Sequence, residues 1–202
     1  MPYIVSQRQN EADDCGCENA HASAFAIASV ASLPDPCRSL FPSIEEFYRE
    51  GGETVDRCLE QGTPCCVAIV DIDRLQRVAD LHGPSCAAGI LAAFAENLLD
   101  IASGQRMAVA YLGSDKFGLL LDGGAGPEAA ETFDRLKLDL TARPLIWEGE
   151  TIPLTVSIGV ADIHGRETFD NYLNAAEQFL FMAKMSGRNQ VVCDYTFLVV
   201  RH

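Results

Sequence analysis

Apolar residues recur along the chain with two different spacings, which together predict a mixture of helices and strands. Cys65–Ile72 is an almost continuous apolar run of strand length, as expected for a strand that is buried on both faces. Met107–Leu112 and Phe117–Leu121 are two further apolar runs, separated only by Gly113-Ser114-Asp115-Lys116. This arrangement predicts an antiparallel hairpin with the four residues at its turn.

Apolar positions at helical spacing predict the helices, and turn residues such as Gly62-Thr63-Pro64 separate the elements. The predicted helices cover residues 20–30, 43–60, about 74–82, about 85–101, 128–140 and 169–184. Further strands are predicted at residues 145–147, 154–161 and 190–193. The order strand, two helices, hairpin, helix, strand, helix, strand predicts an α+β fold in which helices flank a central mixed sheet.

The length and composition indicate one principal domain. The chain has 202 residues, of which 48% are hydrophobic, and it contains no internal repeat or low-complexity tract. We therefore predict a domain over residues 28–202, preceded by a partly helical, cysteine-containing segment over residues 1–27.

Acidic residues dominate the charge and exclude two classes of partner. Fifteen Lys and Arg residues against 29 Asp and Glu residues give a net charge of -14, which repels nucleic acid and anionic membrane surfaces. The first 14 residues lack the basic and apolar regions of a secretory signal. Residues 22–33 form an apolar stretch that is too short to span a membrane. We expect a cytoplasmic protein that binds neither nucleic acid nor membranes.

The eight cysteines suggest two different roles. Cys65 and Cys66 begin the buried apolar run, where cysteine acts as a small core residue. Cys15, Cys17 and His21 instead place three soft ligands within a short N-terminal stretch. Their Cys-x-Cys spacing differs from that of common structural zinc sites, so both a solvated segment and a metal or redox sensor remain open.

Four segments of the chain form a recognisable series: DIDRLQRVADLHGPSCAAGILAAFAENL (71–98), LGSDKFGLLL (112–121), TVSIGVA (155–161) and AAEQFLFMAKMSGRNQV (175–191). In their order and spacing they resemble the GGDEF family, whose members include the bacterial diguanylate cyclases. SVASLPDP (29–36) also resembles the segment that leads into the family domain. The resemblance covers about residues 28–194 and implies a palm-like α+β domain.

The resemblance also implies a reaction and its cofactor. In the family, two domains each hold one GTP, and each 3′-hydroxyl attacks the α-phosphate of the other nucleotide to form cyclic di-GMP with the help of Mg²⁺. Asp71 and Asp115 match acidic positions of the family's metal site. Lys184 and Arg188 match the residues that contact the nucleotide phosphates, although cations near a helix C-terminus also favour the helix dipole.

Several positions depart from the family pattern. The signature reads Gly113, Ser114, Asp115, Lys116, Phe117, so that a lysine replaces a metal-binding Glu and a serine replaces the second glycine. We expect Lys116 to pair with Asp71 or Asp115.

The base-reading and product-binding positions are altered as well. Ala79 and Ala88 stand where the family has the Asn and Asp that recognise guanine. The family's R-x-x-D product site is also missing. Three positions after Arg106, where the family has an Asp, this chain has Val109.

These departures predict a degenerate GGDEF domain that is inactive as a diguanylate cyclase and acts as a regulatory interaction or ligand-sensing module. Its expected partner is another signalling protein or a second copy of the chain, and a nucleotide is a candidate ligand. One alternative is a weak cyclase or a nucleotide-binding enzyme with altered base preference. A second alternative is a metal or redox sensor that acts through Cys15, Cys17 and His21.

Overall fold

The computed structural model describes residues 3–5 and 37–194, which form five helices and eight strands. The elements in chain order are β1 (Tyr3–Val5), α1 (Ile44–Gln61), β2 (Cys65–Ile72), α2 (Leu75–His82), α3 (Pro84–Ser103), β3 (Met107–Gly113), β4 (Lys116–Asp122), α4 (Gly126–Ala142), β5 (Leu145–Trp147), β6 (Glu150–Ile152), β7 (Val156–Asp162), α5 (Phe169–Met185) and β8 (Val191–Cys193). The predicted helix over residues 20–30 and the predicted domain boundary at residue 28 lie outside the described residues.

The main sheet has five strands in the order β3-β4-β2-β7-β8. β2 lies at its centre and pairs antiparallel with both β4 and β7, whereas β7 and β8 are parallel. β3 and β4 form the predicted antiparallel hairpin. The predicted α+β fold with a mixed central sheet is therefore confirmed.

Every residue of β2 is buried, because helices cover both faces of the sheet. Cys66, Ala68 and the other even-numbered apolar residues of β2 belong to a core shared with α2, α3 and α4. Cys65, Val67 and Ile69 belong to a second core shared with α1 and α5. The prediction that Cys65 and Cys66 are core residues is confirmed.

A smaller sheet lies beside the main one, and β5 is the one strand of it that the sequence analysis predicted. Its strand order is β1-β5-β6, with β1 parallel to β5 and β5 antiparallel to β6. Each of these strands has only three residues, which is too short for a clear period-two pattern. β1 and β6 were missed for this reason, whereas the strand predicted at 145–147 is confirmed as β5. The strand predicted at 154–161 begins later, at Val156.

α3 has the length and hydropathy of a membrane span, with a mean hydropathy of 1.4. However, 56% of that apolar stretch is buried within the protein, where Ile90, Phe94 and Leu98 contribute to the core. The burial explains its apolar composition, since a helix packed between a sheet and other helices is apolar over most of its surface.

α5 packs very closely against β7, and a glycine makes this approach feasible. A Cβ atom on Gly159 would lie 2.1 Å from the carbonyl oxygen of Ala176 and 2.2 Å from the amide nitrogen of Leu180. Both of these are backbone atoms, so a side chain at residue 159 would have to displace the helix. The position of the C-terminal half of α5 therefore depends on Gly159.

We expect Gly159→Ala to lower the free energy of unfolding by about 3 kcal/mol or more, because the added methyl group collides with the backbone of α5. Gly52→Ala is the matched control, since a Cβ atom at this position in α1 meets no atom within 4 Å. It should raise the free energy of unfolding by about 0.5–1 kcal/mol. Urea denaturation measures both effects, and equal stabilities of the two variants would contradict the described packing.

Candidate functional site

The residues that resemble the catalytic machinery of the family converge at the C-terminal end of β2. In the sheet, Asp71 lies directly opposite Lys116 of β4 and Ser157 of β7. The amide of Ile72 donates a hydrogen bond of 3.1 Å to the carbonyl oxygen of Asp115. α5 crosses the same end of the sheet and brings Lys184 to it. The structure thus places Asp71, Asp115, Lys116 and Lys184 in one site.

Asp71 is almost fully buried, with 1% of its surface exposed. Its Oδ2 atom accepts a hydrogen bond from Lys184 Nζ at 2.5 Å. Burial raises the pKa of Asp71 to about 6, and the nearby Asp115 adds to this effect, whereas Lys184 opposes it. Lys184, predicted to contact phosphate, is therefore already bound to a carboxylate within the protein.

Lys116 pairs with Glu177 of α5, so the expectation that it would pair with Asp71 or Asp115 is wrong. The physical reason is that Asp71 already has a cation, whereas Glu177 is exposed and is paired at little desolvation cost. The hydrogen bond to Glu177 raises the pKa of Lys116. The sequence analysis missed Glu177, because a single exposed Glu on a helix carries no recognisable signal.

The turn of the signature hairpin depends on backbone conformation and packing. Gly113 has φ 108° and Ser114 has φ 59°, and the Tyr111 hydroxyl donates a hydrogen bond of 3.1 Å to the Ser114 carbonyl oxygen. Phe117 is fully buried, with ring centroids 5.4 Å from Phe94 and 5.3 Å from Tyr111. Gly113 and Phe117 thus serve the fold of the hairpin, while Asp115 and Lys116 lie in the site.

Asp73 is a further buried carboxylate at this end of β2, and the sequence analysis did not single it out. Its oxygens accept hydrogen bonds from Ser157 Oγ at 2.7 Å, Thr155 Oγ1 at 2.8 Å and the amide of Asn189 at 3.0 Å. Asp73 thereby joins the end of β2, the start of β7 and the loop after α5. The second Asp of Asp-Ile-Asp, together with the Thr-x-Ser pattern of β7, could have indicated it.

The positions that read guanine in the family carry only methyl groups. Ala79 of α2 is 9% exposed and belongs to the core, and Ala88 of α3 is partly buried. Neither side chain has a hydrogen-bonding group. Arg188 lies in the loop after α5 with φ 69°, and its amide donates to the Ala183 carbonyl oxygen at 2.9 Å. Its side chain is exposed and forms no ion pair within residues 37–194.

The residues at this site do not fit the divalent cations that the resemblance implies. Within the part of the chain that the structure describes, no three His, Cys, Asp or Glu side chains converge as a metal site would require. Asp71 is bound to Lys184, Asp73 is surrounded by neutral donors, and residue 116 is a lysine. Cys15, Cys17 and His21 lie outside the described residues, so their proposed role stays a prediction.

The raised pKa of Asp71 predicts a specific dependence of stability on pH. Between pH 3.8, the usual pKa of an Asp, and about pH 6, the folded state binds more protons at Asp71 than the unfolded state. The stabilisation that this protonation gives to the folded state is therefore fully present below pH 3.8 and is lost as the pH rises through 6. From pH 4 to pH 7, the unfolding free energy of the wild type should fall relative to Asp71→Asn by up to about 3 kcal/mol. Urea denaturation at each pH measures this difference, and a constant difference would contradict the pKa.

The sequence matches the family described as diguanylate cyclase, GGDEF domain, over residues 44–190. Among curated relatives, diguanylate cyclase DosC of Escherichia coli (strain K12) is 29% identical over 155 residues, which cover 76% of this chain and 32% of DosC. The probable diguanylate cyclase DgcF of the same strain is 25% identical, and the match covers 82% of this chain and 56% of DgcF. The chain thus spans about a third to a half of the length of these relatives.

Solved structures show the same fold. The GGDEF domain of DgcB from Caulobacter crescentus, solved in complex with c-di-GMP, superimposes with a TM-score of 0.69 at 22% identity and covers 76% of this chain and 91% of that chain. Diguanylate cyclase SiaD from Pseudomonas aeruginosa, solved with its activator SiaC, gives a TM-score of 0.72 at 24% identity and covers 81% and 62% of the two chains. The strand order, the hairpin and the family match agree with one another. This chain therefore belongs to the GGDEF domain family of diguanylate cyclases.

Proposed function

We propose that this chain is a degenerate GGDEF domain that does not turn over GTP and acts as a regulatory module in cyclic di-GMP signalling. The observation that carries the proposal is the residue at the fourth signature position. Lys116 stands there in place of a metal-binding Glu and is bound to Glu177 of α5. Lys184, which matches a lysine of the family, is bound to the buried Asp71.

Phosphoryl transfer needs cations that bridge phosphate oxygens and stabilise the charge that develops on them. An ammonium group can balance a carboxylate or donate hydrogen bonds to a phosphate, but it cannot serve as a metal ligand and it repels a divalent cation. At an effective dielectric constant near 20, this repulsion is roughly 8 kcal/mol at 4 Å, before any relaxation. Lys116 pairs with Glu177 and Lys184 pairs with Asp71, so neither lysine adds an oxygen ligand for a metal ion.

Selection of GTP is the second requirement that the site does not meet. A site distinguishes between bases mainly through hydrogen bonds to their polar edges, and polar recognition supplies discrimination factors of about 10⁴ or more. Ala79 and Ala88 provide no such donor or acceptor. The loss of base recognition and the loss of a metal ligand are independent departures, and both support a role without turnover.

A regulatory module acts through a surface or a bound ligand. DgcB has been solved in complex with c-di-GMP, and SiaD has been solved with the activator SiaC, so both kinds of partner occur among the structures that share this fold. We propose that this chain binds another signalling protein or a second copy of itself and that it works in the cytoplasm. A net charge of -14 supports a partner other than nucleic acid or an anionic membrane.

A weak enzyme is the alternative that a specific observation favours. Asp71 and Asp115 are retained in one site, and the Arg188 side chain is exposed beside the loop after α5. A protein that binds or slowly processes a nucleotide could use these groups.

Metal analysis of the purified protein addresses the separate prediction of a metal or redox sensor at Cys15, Cys17 and His21.

We expect the wild-type protein, incubated with GTP and Mg²⁺ or Mn²⁺, to form cyclic di-GMP at least about 10³-fold more slowly than an active GGDEF domain assayed in parallel, because both the metal ligand and the base contacts are missing. Chromatography of the products measures the rate. Clear formation of cyclic di-GMP by the wild type would contradict the proposal.

A variant can test whether the site chemistry is the cause. Lys116→Glu with Glu177→Gln restores a carboxylate at the fourth signature position and avoids repulsion from Glu177. We expect this variant to gain Mn²⁺ binding in calorimetry, whereas the matched control Glu177→Gln alone should not. Mn²⁺ binding by the control equal to that of the double variant would show that Lys116 does not prevent metal binding.

A further inference from the structure

We infer that the exposed surface between α1 and α5, beside the signature hairpin, binds a basic amphipathic helix of a partner protein. We name it the α1–α5 surface and define it by the apolar Ile44, Tyr48 and Phe181 and the acidic Glu45 and Asp170. All five residues are exposed. The inference rests on the proposed function and deepens it, because it names the class of partner that the regulatory module binds.

Exposed apolar side chains are concentrated at this surface. Within the part of the chain that the structure describes, eight large apolar side chains are exposed, and six of them lie within residues 40–48 or 181–185. Phe181 is 63% exposed, Ile44 is 45% exposed and Tyr48 is 39% exposed. Single exposed apolar residues are ordinary in soluble proteins, whereas a group of them marks an interaction site. The grouping therefore indicates that another molecule covers this surface.

Two side-chain contacts show which side of α5 faces α1. The Tyr48 hydroxyl donates a hydrogen bond of 3.3 Å to Asp170 Oδ1, and the centroid of the Tyr48 ring lies 5.7 Å from that of Phe169 at the start of α5. Further along α5, Glu177 is paired with Lys116 of the hairpin. The side of α5 that carries Asp170 and Glu177 therefore faces α1 and the hairpin.

α1 and α5 run in opposite directions on the same face of the sheet. α1 begins beside the hairpin, where Ile44 and Gly113 line the same cavity. α5 ends at the same end of the sheet, beside the carboxylate of Asp71. Phe181 follows Glu177 by four residues and so lies on the same side of α5. Ile44 and Phe181 therefore flank the hairpin, one from each helix.

The cavity at the start of α1 offers a place for an anchoring side chain. It has a volume of about 550 Å³, and its apolar lining includes Phe41, Ile44, Tyr111 and Leu112. Helices that dock on protein surfaces commonly insert a large apolar side chain into such a cavity. The α1–α5 surface thus combines exposed apolar side chains with an adjoining cavity.

Acidic groups border the apolar side chains. α1 contains six acidic residues and two arginines. Glu45 and Asp56 are exposed next to the side of α1 that carries Ile44 and Tyr48, and Asp170 borders the surface on α5. Within residues 37–194, none of these three carboxylates forms an ion pair. Their charges therefore attract a cationic partner and repel an acidic one.

A basic amphipathic helix matches this arrangement in both of its features. Apolar residues at positions i, i+3, i+4 and i+7 of such a helix form one face that covers the apolar side chains. Lysines and arginines on its flanks reach the carboxylates of α1 and α5, because their side chains are long. A second copy of the chain is a poorer match, since each copy carries a net charge of -14.

Fluorescence anisotropy with a labelled synthetic peptide of 18 residues, the length of α1, measures the binding. The peptide carries leucines and phenylalanines on one helical face and lysines on the others. A scrambled peptide of the same composition is the control, because it keeps the charge but loses the apolar face. We expect the amphipathic peptide to bind the wild-type protein with a Kd below about 100 μM, and the scrambled peptide to bind at least about tenfold more weakly.

Phe181→Ser should weaken binding of the amphipathic peptide by about tenfold, because a large apolar contact is lost from the surface. Leu138→Ser is the matched control, since Leu138 is 61% exposed and belongs to α4, which packs on the other face of the sheet. It should bind the peptide like the wild type. Thermal denaturation of each variant confirms that it is folded.

Glu45→Lys should weaken binding by about fivefold, because it places a cation where the peptide carries cations. Glu128→Lys is the matched control, since Glu128 is likewise an exposed acid in the first turn of a helix and lies in α4. Both variants change the net charge and the charge at a helix N-terminus equally. Glu128→Lys should change the affinity by less than about twofold.

The inference is overturned if the wild type fails to bind the amphipathic peptide at millimolar concentration, if it binds the scrambled peptide equally well, or if folded Phe181→Ser binds unchanged. Sedimentation of the wild type tests the other occupant. A dimer that Phe181→Ser converts to a monomer would make a second copy the occupant and would also overturn the inference. Neither measurement involves turnover, so the assay for cyclic di-GMP tests the proposed function separately.

Discussion

The burial of β2 on both faces and along both edges determines how this site is built. Asp71 and Asp73 lie at the end of that strand, where water reaches neither carboxylate freely. A buried carboxylate is costly unless other groups satisfy it, so each must find partners within the protein or in a bound ion. Asp73 has three neutral donors from neighbouring segments, and Asp71 has one ammonium group.

The charged groups of this site are separate from the packing that holds the scaffold together. The family resemblance implies that divalent cations balance part of the negative charge at this end of the sheet. In this chain Lys184, which matches a lysine of the family, pairs with Asp71, and Lys116 pairs with Glu177. The close packing of α5 on β7, for which Gly159 provides the space, involves none of these side chains.

Much of the fold could be predicted from the sequence, because its elements carry strong local signals. β2 is a continuous apolar run, the hairpin has a polar turn between two apolar segments, and Ser43 caps α1 together with Glu46. β1 and β6 of the small sheet could not be predicted, since the pairing of such short strands is decided by tertiary contacts. Within the site, the meeting of Asp71, Asp115 and Lys184 followed from the family resemblance. The partner of Lys116 did not, because it depends on which exposed acid of α5 faces the hairpin.

Phe117 has a role that bears on how signature motifs are interpreted. Its ring lies at the centre of an aromatic cluster, and the turn before it begins with a glycine at positive φ. Gly113 and Phe117, the first and last residues of the signature, thus serve the fold, whereas the side chain of Lys116, the fourth residue, lies in the site. A hairpin of this kind can keep its recognisable outline when its fourth residue changes, so the outline records architecture and does not by itself record catalytic competence.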